Sequence, residues 1–232
     1  MSERSRIWLA VAAAMTVPGL AAWFYFVLLK GEPFAVILYG AAKVFILIWP
    51  AAAVVLLEKQ HFSLRRVDFS KHVMAIPLGL LSGLLIAVVI LGGFKFTVLG
   101  DIAAQSSAAI RTKAQDMKII NHFFGFALLI CLGHSLLEEY YWRWYVFGRL
   151  RKLVRPGAAY IAASLAFAAH HYAVLGSFFS VGFAAILGTC VALGGGLWCW
   201  LYQKQHSIAG CWFSHMIVDG AIYYIGYQVI FG

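Results

Sequence analysis

The stretch VMAIPLGLLSGLLIAVVILGG, residues 73–93, contains no charged side chain. A helix needs about 20 consecutive apolar residues to cross the hydrocarbon core of a bilayer, so this stretch predicts a transmembrane helix. The whole chain has the same character, since 63% of its 232 residues are hydrophobic and only 12% are charged. Soluble domains contain roughly 45–50% apolar residues, so we expect most of this chain to lie within a lipid bilayer.

Similar apolar stretches recur along the chain and predict an all-α, polytopic transmembrane bundle of about seven spans. We interpret residues 1–232 as one membrane domain. Residues 1–100 would form three spans without motifs, 101–118 a polar interfacial or extramembrane helix, and 119–231 the candidate catalytic core. The expected spans cover residues 7–29, 34–57, 73–100, 119–148, 157–176, 179–203 and 206–231.

The basic residues collect on one side of the predicted spans and account for the net charge of +9. Lys and Arg concentrate in cytoplasmic connections, so this pattern places the N-terminus inside and the C-terminus outside. We therefore expect an integral protein of a prokaryotic cytoplasmic membrane, surrounded by lipid, and no nucleic-acid partner. The basic side holds Arg4, Arg6, Lys59, Arg65, Arg66, Lys71, Arg149, Arg151, Lys152, Arg155 and Lys204.

Three acidic residues, Glu138, Glu139 and Asp219, fall inside predicted spans. An ionisable side chain at membrane depth is costly unless it is paired or hydrated, so such residues are functional candidates. Glu139 and Arg143 are spaced i and i+4, which predicts an ion pair on one helix face. Glu138 then points elsewhere and is available for chemistry.

Histidines lie at similar depth in the spans of these acids and in the span over residues 157–176. His134 precedes Glu138 by one turn, and we interpret it as structural. His215 and Asp219 are spaced i and i+4, so the carboxylate is positioned to orient the imidazole or to share a ligand with it. His170 and His171 are adjacent, and periodicity does not choose between them.

This residue set is suited to two kinds of hydrolysis. A buried carboxylate with a histidine can activate water, and further donors stabilise the oxyanion of a tetrahedral intermediate. One Glu with two His is also a known catalytic zinc shell. Because the H-E-x-x-H signature is absent, we favour a glutamate mechanism without cofactor, and keep one divalent metal such as zinc as the alternative.

Three ordered motifs resemble those of the CAAX prenyl protease type II and bacteriocin-processing (CPBP, Abi) intramembrane proteases. The E-E-x-x-x-R motif is present at Glu138–Arg143, F-x-x-x-H at Phe167–His171, and H-x-x-x-N, in its Asp variant, at His215–Asp219. Their order and spacing match over about residues 120–225, while the first three spans carry no motif.

The resemblance implies an intramembrane endopeptidase in which Glu138 and His171 activate water and His215 with Asp219 faces the oxyanion. It selects His171 over His170 as the catalytic histidine. If a metal is bound, its ligands would be Glu138, His171 and His215. Its substrate would be a peptide or protein, prenylated or carrying a leader or a C-terminal sorting tag. The commoner family residue at the last position is Asn, an amide donor, whereas an ionised Asp219 only accepts.

Two alternative interpretations belong to other functional classes. A proton- or ion-coupled transporter would use the buried acids as a relay. A catalytically silent membrane scaffold or immunity protein would not depend on Glu138 at all.

Overall fold

The computed structural model describes residues 2–59, 69–116 and 118–232. These residues form nine helices and no strand, which confirms the predicted all-α class. Arg65 and Arg66, which we assigned to the basic inner side, lie outside the described residues. The helices are α1 (Glu3–Leu28), α2 (Pro33–Leu57), α3 (Phe69–Phe96), α4 (Leu99–Gln105), α5 (Ser107–Asp116), α6 (Ile120–Leu153), α7 (Pro156–Gly176), α8 (Val181–Gln205) and α9 (Ile208–Phe231).

Six of these helices, α1, α2, α3, α6, α7 and α8, are long and apolar enough to cross a membrane. The helix α9 occupies the seventh expected span but is not among the six, because Ser214, His215 and Asp219 lower its hydropathy. The number of spans and the orientation of the termini stay predictions. The expected polar helix over 101–118 is divided at Ser106 into α4 and α5.

Helix starts follow local sequence signals. The Ser2 side chain accepts a hydrogen bond from the Ser5 backbone N–H at 3.2 Å and caps α1. Ser207 caps α9 in the same way. Pro33 and Pro156 are the first residues of α2 and α7, where a missing N–H costs no helical bond.

The chain divides into two compact units. The first unit comprises Met1–Asp68 and Tyr140–Lys204, and the second comprises Phe69–Glu139 and Gln205–Gly232. Helix α6 contributes its N-terminal part to the second unit and its C-terminal part to the first.

In the first unit, indole and phenol groups bond to the carbonyls of α1. Trp49 Nε1 donates to the Ala10 carbonyl at 3.0 Å, and the Tyr141 hydroxyl donates to the Ala14 carbonyl at 2.8 Å. Side-chain hydrogen bonds of this kind join helices in lipid, where the hydrophobic effect does not.

A buried ion pair lies at the end of α2 in the same unit. Arg149 Nε donates to both carboxylate oxygens of Glu58, at 2.9 and 2.8 Å, and the Glu58 side chain has no exposed surface. The Arg149 guanidinium also faces the rings of Trp144 and Tyr145, 5.6 and 5.5 Å from their centroids. Burial makes this pair more sensitive to loss of one partner than a surface pair.

In the second unit, α3 and α9 approach each other along a line of small residues. A Cβ atom on Gly79 would collide with the Gly210 carbonyl, and one on Gly83 would lie 2.8 Å from the Ser214 carbonyl oxygen. The Ser82 hydroxyl lies 3.1 Å from that of Ser214. The G-x-x-x-G spacing of Gly79 and Gly83 thus packs one helix backbone directly on another, next to His215.

Helix α5 packs on the C-terminal end of α9. Arg111 Nε donates to the Ile230 carbonyl at 3.0 Å, which satisfies one of the carbonyls that a helix end leaves open. Ala114 of α5, Phe123 of α6 and Ile230 form a small buried apolar cluster below it. This contact fixes the end of the helix that carries His215 and Asp219.

Candidate active site

Helix α6 departs from regular α geometry on both sides of the turn Ser135–Glu138, which ends at the first of the two adjacent glutamates. Wide π-helical turns cover Ile130–His134 and Glu139–Phe147, with a single α turn at Ser135–Glu138 between them. In the first π turn the Ser135 backbone N–H bonds to the Ile130 carbonyl. Such turns occur frequently at functional sites because they redirect the side chains that follow.

Glu138 lies in the second unit with an imidazole near each of its carboxylate oxygens. His134 Nε2 is 3.4 Å from Oε1, and His215 Nε2 is 3.7 Å from Oε2. Only 4% of Glu138 is exposed. The Glu138 carboxylate, which we predicted to be available for chemistry, therefore lies in polar, largely enclosed surroundings and not against lipid.

Glu139 contacts the other nitrogen of the same imidazole. His215 Nδ1 lies 2.7 Å from Glu139 Oε1, and neither side chain is more than 5% exposed. An ionised carboxylate only accepts hydrogen bonds, so Nδ1 carries the hydrogen. In the neutral imidazole Nε2 is then the basic nitrogen, suited to accept a proton or to bind a metal.

Asp219 lies on the Nε2 side of His215. Its Oδ1 is 3.6 Å from that nitrogen, one helical turn further along α9. The spacing predicted this proximity, but the nitrogen that holds the short hydrogen bond is the one facing Glu139. Orientation of His215 by Glu139 is a role that the sequence did not reveal, because the two residues belong to different helices.

Helix α9 is tied to α6 just before His215. Trp212 Nε1 donates to the Leu132 carbonyl at 3.0 Å. Together with the contact between Ser214 and Ser82, this bond fixes the rotation of α9 about its axis at the level of His215.

His170 and His171 lie in the first unit in different surroundings. The His170 ring is stacked parallel to that of Trp142, with centroids 6.0 Å apart, and is 9% exposed. His171 Nδ1 is 3.2 Å from the Phe167 carbonyl, to which it donates, so Nε2 is the acceptor nitrogen of the neutral ring. These surroundings favour a packing role for His170 and leave His171 the better candidate for chemistry.

Arg143 is also in the first unit and is 1% exposed. Its guanidinium faces two aromatic rings, 4.4 Å from the centroid of Phe167 and 4.9 Å from that of Trp198. Cation–π contacts of this kind are worth about 2 kcal/mol or more when they are shielded from water. Arg143 therefore packs against the helix that carries His171.

The second unit thus brings together Glu138, Glu139, His215 and Asp219. Two predicted pairs, Glu138 with His171 and Glu139 with Arg143, join residues of different units and stay predictions. His134, interpreted from the sequence as structural, lies directly beside the candidate base. The i to i+4 spacing of His134 and Glu138 in the sequence was the signal for this proximity.

Residues 120–221 match the Rce1-like family model. The model is described as type II CAAX prenyl endopeptidase Rce1-like, and its match spans all three motifs. The comparisons with curated proteins and with solved structures give no match.

The match confirms the resemblance inferred from the motifs. Rce1-like proteins of this description are endopeptidases, which supports protease activity and a peptide or protein substrate. Together with six helices able to span a bilayer, it supports an integral membrane protein.

Proposed function

We propose that the chain is an intramembrane endopeptidase in which Glu138 is the general base that activates water. The observation that carries this proposal is the position of Glu138, buried in an apolar helix with an imidazole near each oxygen. It lies within the segment that matches type II CAAX prenyl endopeptidases.

In the proposed reaction Glu138 removes a proton from water while the oxygen attacks the carbonyl carbon of the scissile peptide bond. The resulting tetrahedral intermediate bears a negative oxygen. Its collapse breaks the C–N bond, and the proton held by Glu138 passes to the departing amine. His171 is the residue that shares the water with Glu138 in this scheme.

His215 and Asp219 are assigned to the oxyanion side. Glu139 holds the Nδ1 hydrogen of His215, which fixes the ring so that Nε2 faces the reacting atoms. A protonated His215, or a protonated Asp219, donates a hydrogen bond to the oxyanion, whereas an ionised Asp219 does not. Asp219 is therefore the residue whose protonation matters most in this scheme.

A divalent metal is the alternative. The Nε2 atom of His215 lies 3.6 and 3.7 Å from carboxylate oxygens of Asp219 and Glu138. Donor atoms of a tetrahedral zinc site are about 3.4 Å apart, so the separation of Glu138 and His215 is compatible with their binding one ion. Glu138 and His215, with His171, would hold it, and it would supply a Lewis acid for the carbonyl and for water.

The matched family supports a peptide or protein substrate. We propose a peptide or protein cleaved near a membrane-associated end, such as a prenylated C-terminus, a leader peptide or a C-terminal sorting tag.

The test compares purified wild-type protein with the variant Glu138→Gln on a farnesylated C-terminal peptide and on a leader peptide, with and without a chelator. The amide keeps the shape of the side chain but removes the base, so cleavage should fall to background. Glu32→Gln, at an exposed position, is the matched control. Cleavage by Glu138→Gln at the wild-type rate would refute the proposal, and loss of wild-type activity with chelator would favour the metal.

A further inference from the structure

His134 lies beside Glu138 in the second unit, and the proposed reaction does not use it. It ends the π turn Ile130–His134, and Glu138 ends the α turn that follows. The i to i+4 spacing across that α turn sets both side chains on one helix face. The imidazole therefore stands directly above the carboxylate along the helix.

The two carboxylate oxygens of Glu138 face different histidines. Oε1 lies 3.4 Å from His134 Nε2, and Oε2 lies 3.7 Å from His215 Nε2. The oxygens are equivalent in an isolated carboxylate, but this arrangement makes them different. One is held within its own helix, and the other faces the residue assigned to the oxyanion.

The hydrogens available to Glu138 from these rings are limited. A neutral imidazole has one N–H. The N–H of His215 is on Nδ1 and donates to Glu139 Oε1, which lies 2.7 Å from that nitrogen. In that state His215 has no hydrogen to donate to Glu138. His134 Nε2 lies 3.4 Å from Oε1, closer than His215 Nε2 lies to Oε2, so His134 is the ring that can direct a hydrogen toward the carboxylate.

The backbone that carries His134 is held in place on both sides. The Trp212 indole donates to the Leu132 carbonyl at 3.0 Å, and the Ser135 hydroxyl donates to the Cys131 carbonyl. A side chain on a backbone fixed in this way can select one conformation of Glu138. The His134 side chain is 25% exposed and that of Glu138 is 5%, so the imidazole also covers the carboxylate from the surroundings.

We propose that His134 is a positioning residue for the reaction, which holds Glu138 Oε1 so that Oε2 takes the proton of the attacking water. This inference rests on the proposed function of Glu138. It assigns a task to a residue outside the three motifs.

The experiment exploits the difference in reach between two amides. In His134→Gln the side-chain N–H extends far enough to approach Oε1, whereas in His134→Asn it is one methylene shorter. We expect His134→Gln to keep kcat within about threefold of wild type, and His134→Asn to lower kcat about tenfold with KM unchanged, as for residues that orient a catalytic ligand. His122→Asn, at an exposed position at the start of α6, should behave as wild type.

Thermal unfolding of each purified variant accompanies the kinetics. A purely structural role predicts that the Gln and Asn variants lose stability while kcat of the folded fraction stays at the wild-type value, and this result would overturn the inference. Equal kcat for all three proteins would overturn it as well. In either case an inactive Glu138→Gln leaves the proposed function standing, whereas an active Glu138→Gln removes the proposed function itself.

Discussion

His215 Nδ1 lies 2.7 Å from Glu139 Oε1 with both side chains buried, a shorter contact than those of Glu138 with His134 and of His215 with Glu138 and Asp219. A carboxylate on Nδ1 fixes the tautomer and the plane of an imidazole. The second glutamate of the E-E pair is thus an orienting group for a histidine on another helix.

Replacing Glu139 by Leu should lower kcat by about 10- to 100-fold, because His215 loses the acceptor that orients it. Glu139→Gln should lose less, since its amide oxygen still accepts from Nδ1. The measurement is kcat on a cleaved peptide, with Asp116→Asn as a control at an exposed carboxylate of the same unit. Wild-type kcat in Glu139→Leu would show that His215 is oriented by other contacts.

Replacing Asp219 by Asn should keep kcat at or above the wild-type value. The amide supplies an N–H to the oxyanion, which an ionised carboxylate cannot do. Steady-state kinetics with and without chelator measure the effect. A fall of more than about tenfold would mean that the carboxylate itself is needed, as a metal ligand or as a proton carrier.

Replacing Gly79 by Ala should destabilise the protein by about 1–3 kcal/mol, because the new Cβ collides with the Gly210 carbonyl. Gly92→Ala, on the same helix with no neighbour within 4 Å of its Cβ position, is the matched control and should be neutral or slightly stabilising. Thermal unfolding in detergent distinguishes the two variants. Equal melting temperatures would contradict the close approach of α3 and α9.

Replacing Glu58 by Gln should destabilise the protein by about 3–5 kcal/mol, since it leaves the buried Arg149 without its counter-charge. The double variant Glu58→Leu with Arg149→Met should recover much of this loss, because no charge is then buried. Unfolding of the two proteins in denaturant provides the comparison. If the single variant unfolded like wild type, the pair would contribute nothing to stability.

The sequence predicted those parts of the site that depend on one helix. Apolar length located the helices, and the i to i+4 rule correctly brought His134 near Glu138 and Asp219 near His215. The G-x-x-x-G spacing of Gly79 and Gly83 is a sequence signal for close helix packing, but it does not identify the partner helix.

Contacts between helices could not be read from the sequence. The sequence predicted Arg143 on the same helix as a partner of Glu139, but it did not reveal the short hydrogen bond between Glu139 and His215 on α9. Such a pair depends on how far each helix is rotated and shifted, and periodicity carries no information on that. The π turns of α6 are equally hidden, because they follow from packing and not from a residue type.

The close packing of α3 on α9 has a consequence for how this protein is recognised and dissected. The family match begins at residue 120, and every motif residue lies inside it, yet Gly79, Ser82 and Gly83 of α3 set the position of the helix that carries His215. A fragment limited to the matched residues 120–221 would keep all three motifs but lose α3, the helix on which α9 packs. Chimeras and truncations should therefore keep residues 69–96 with the C-terminal half, even though no motif marks them.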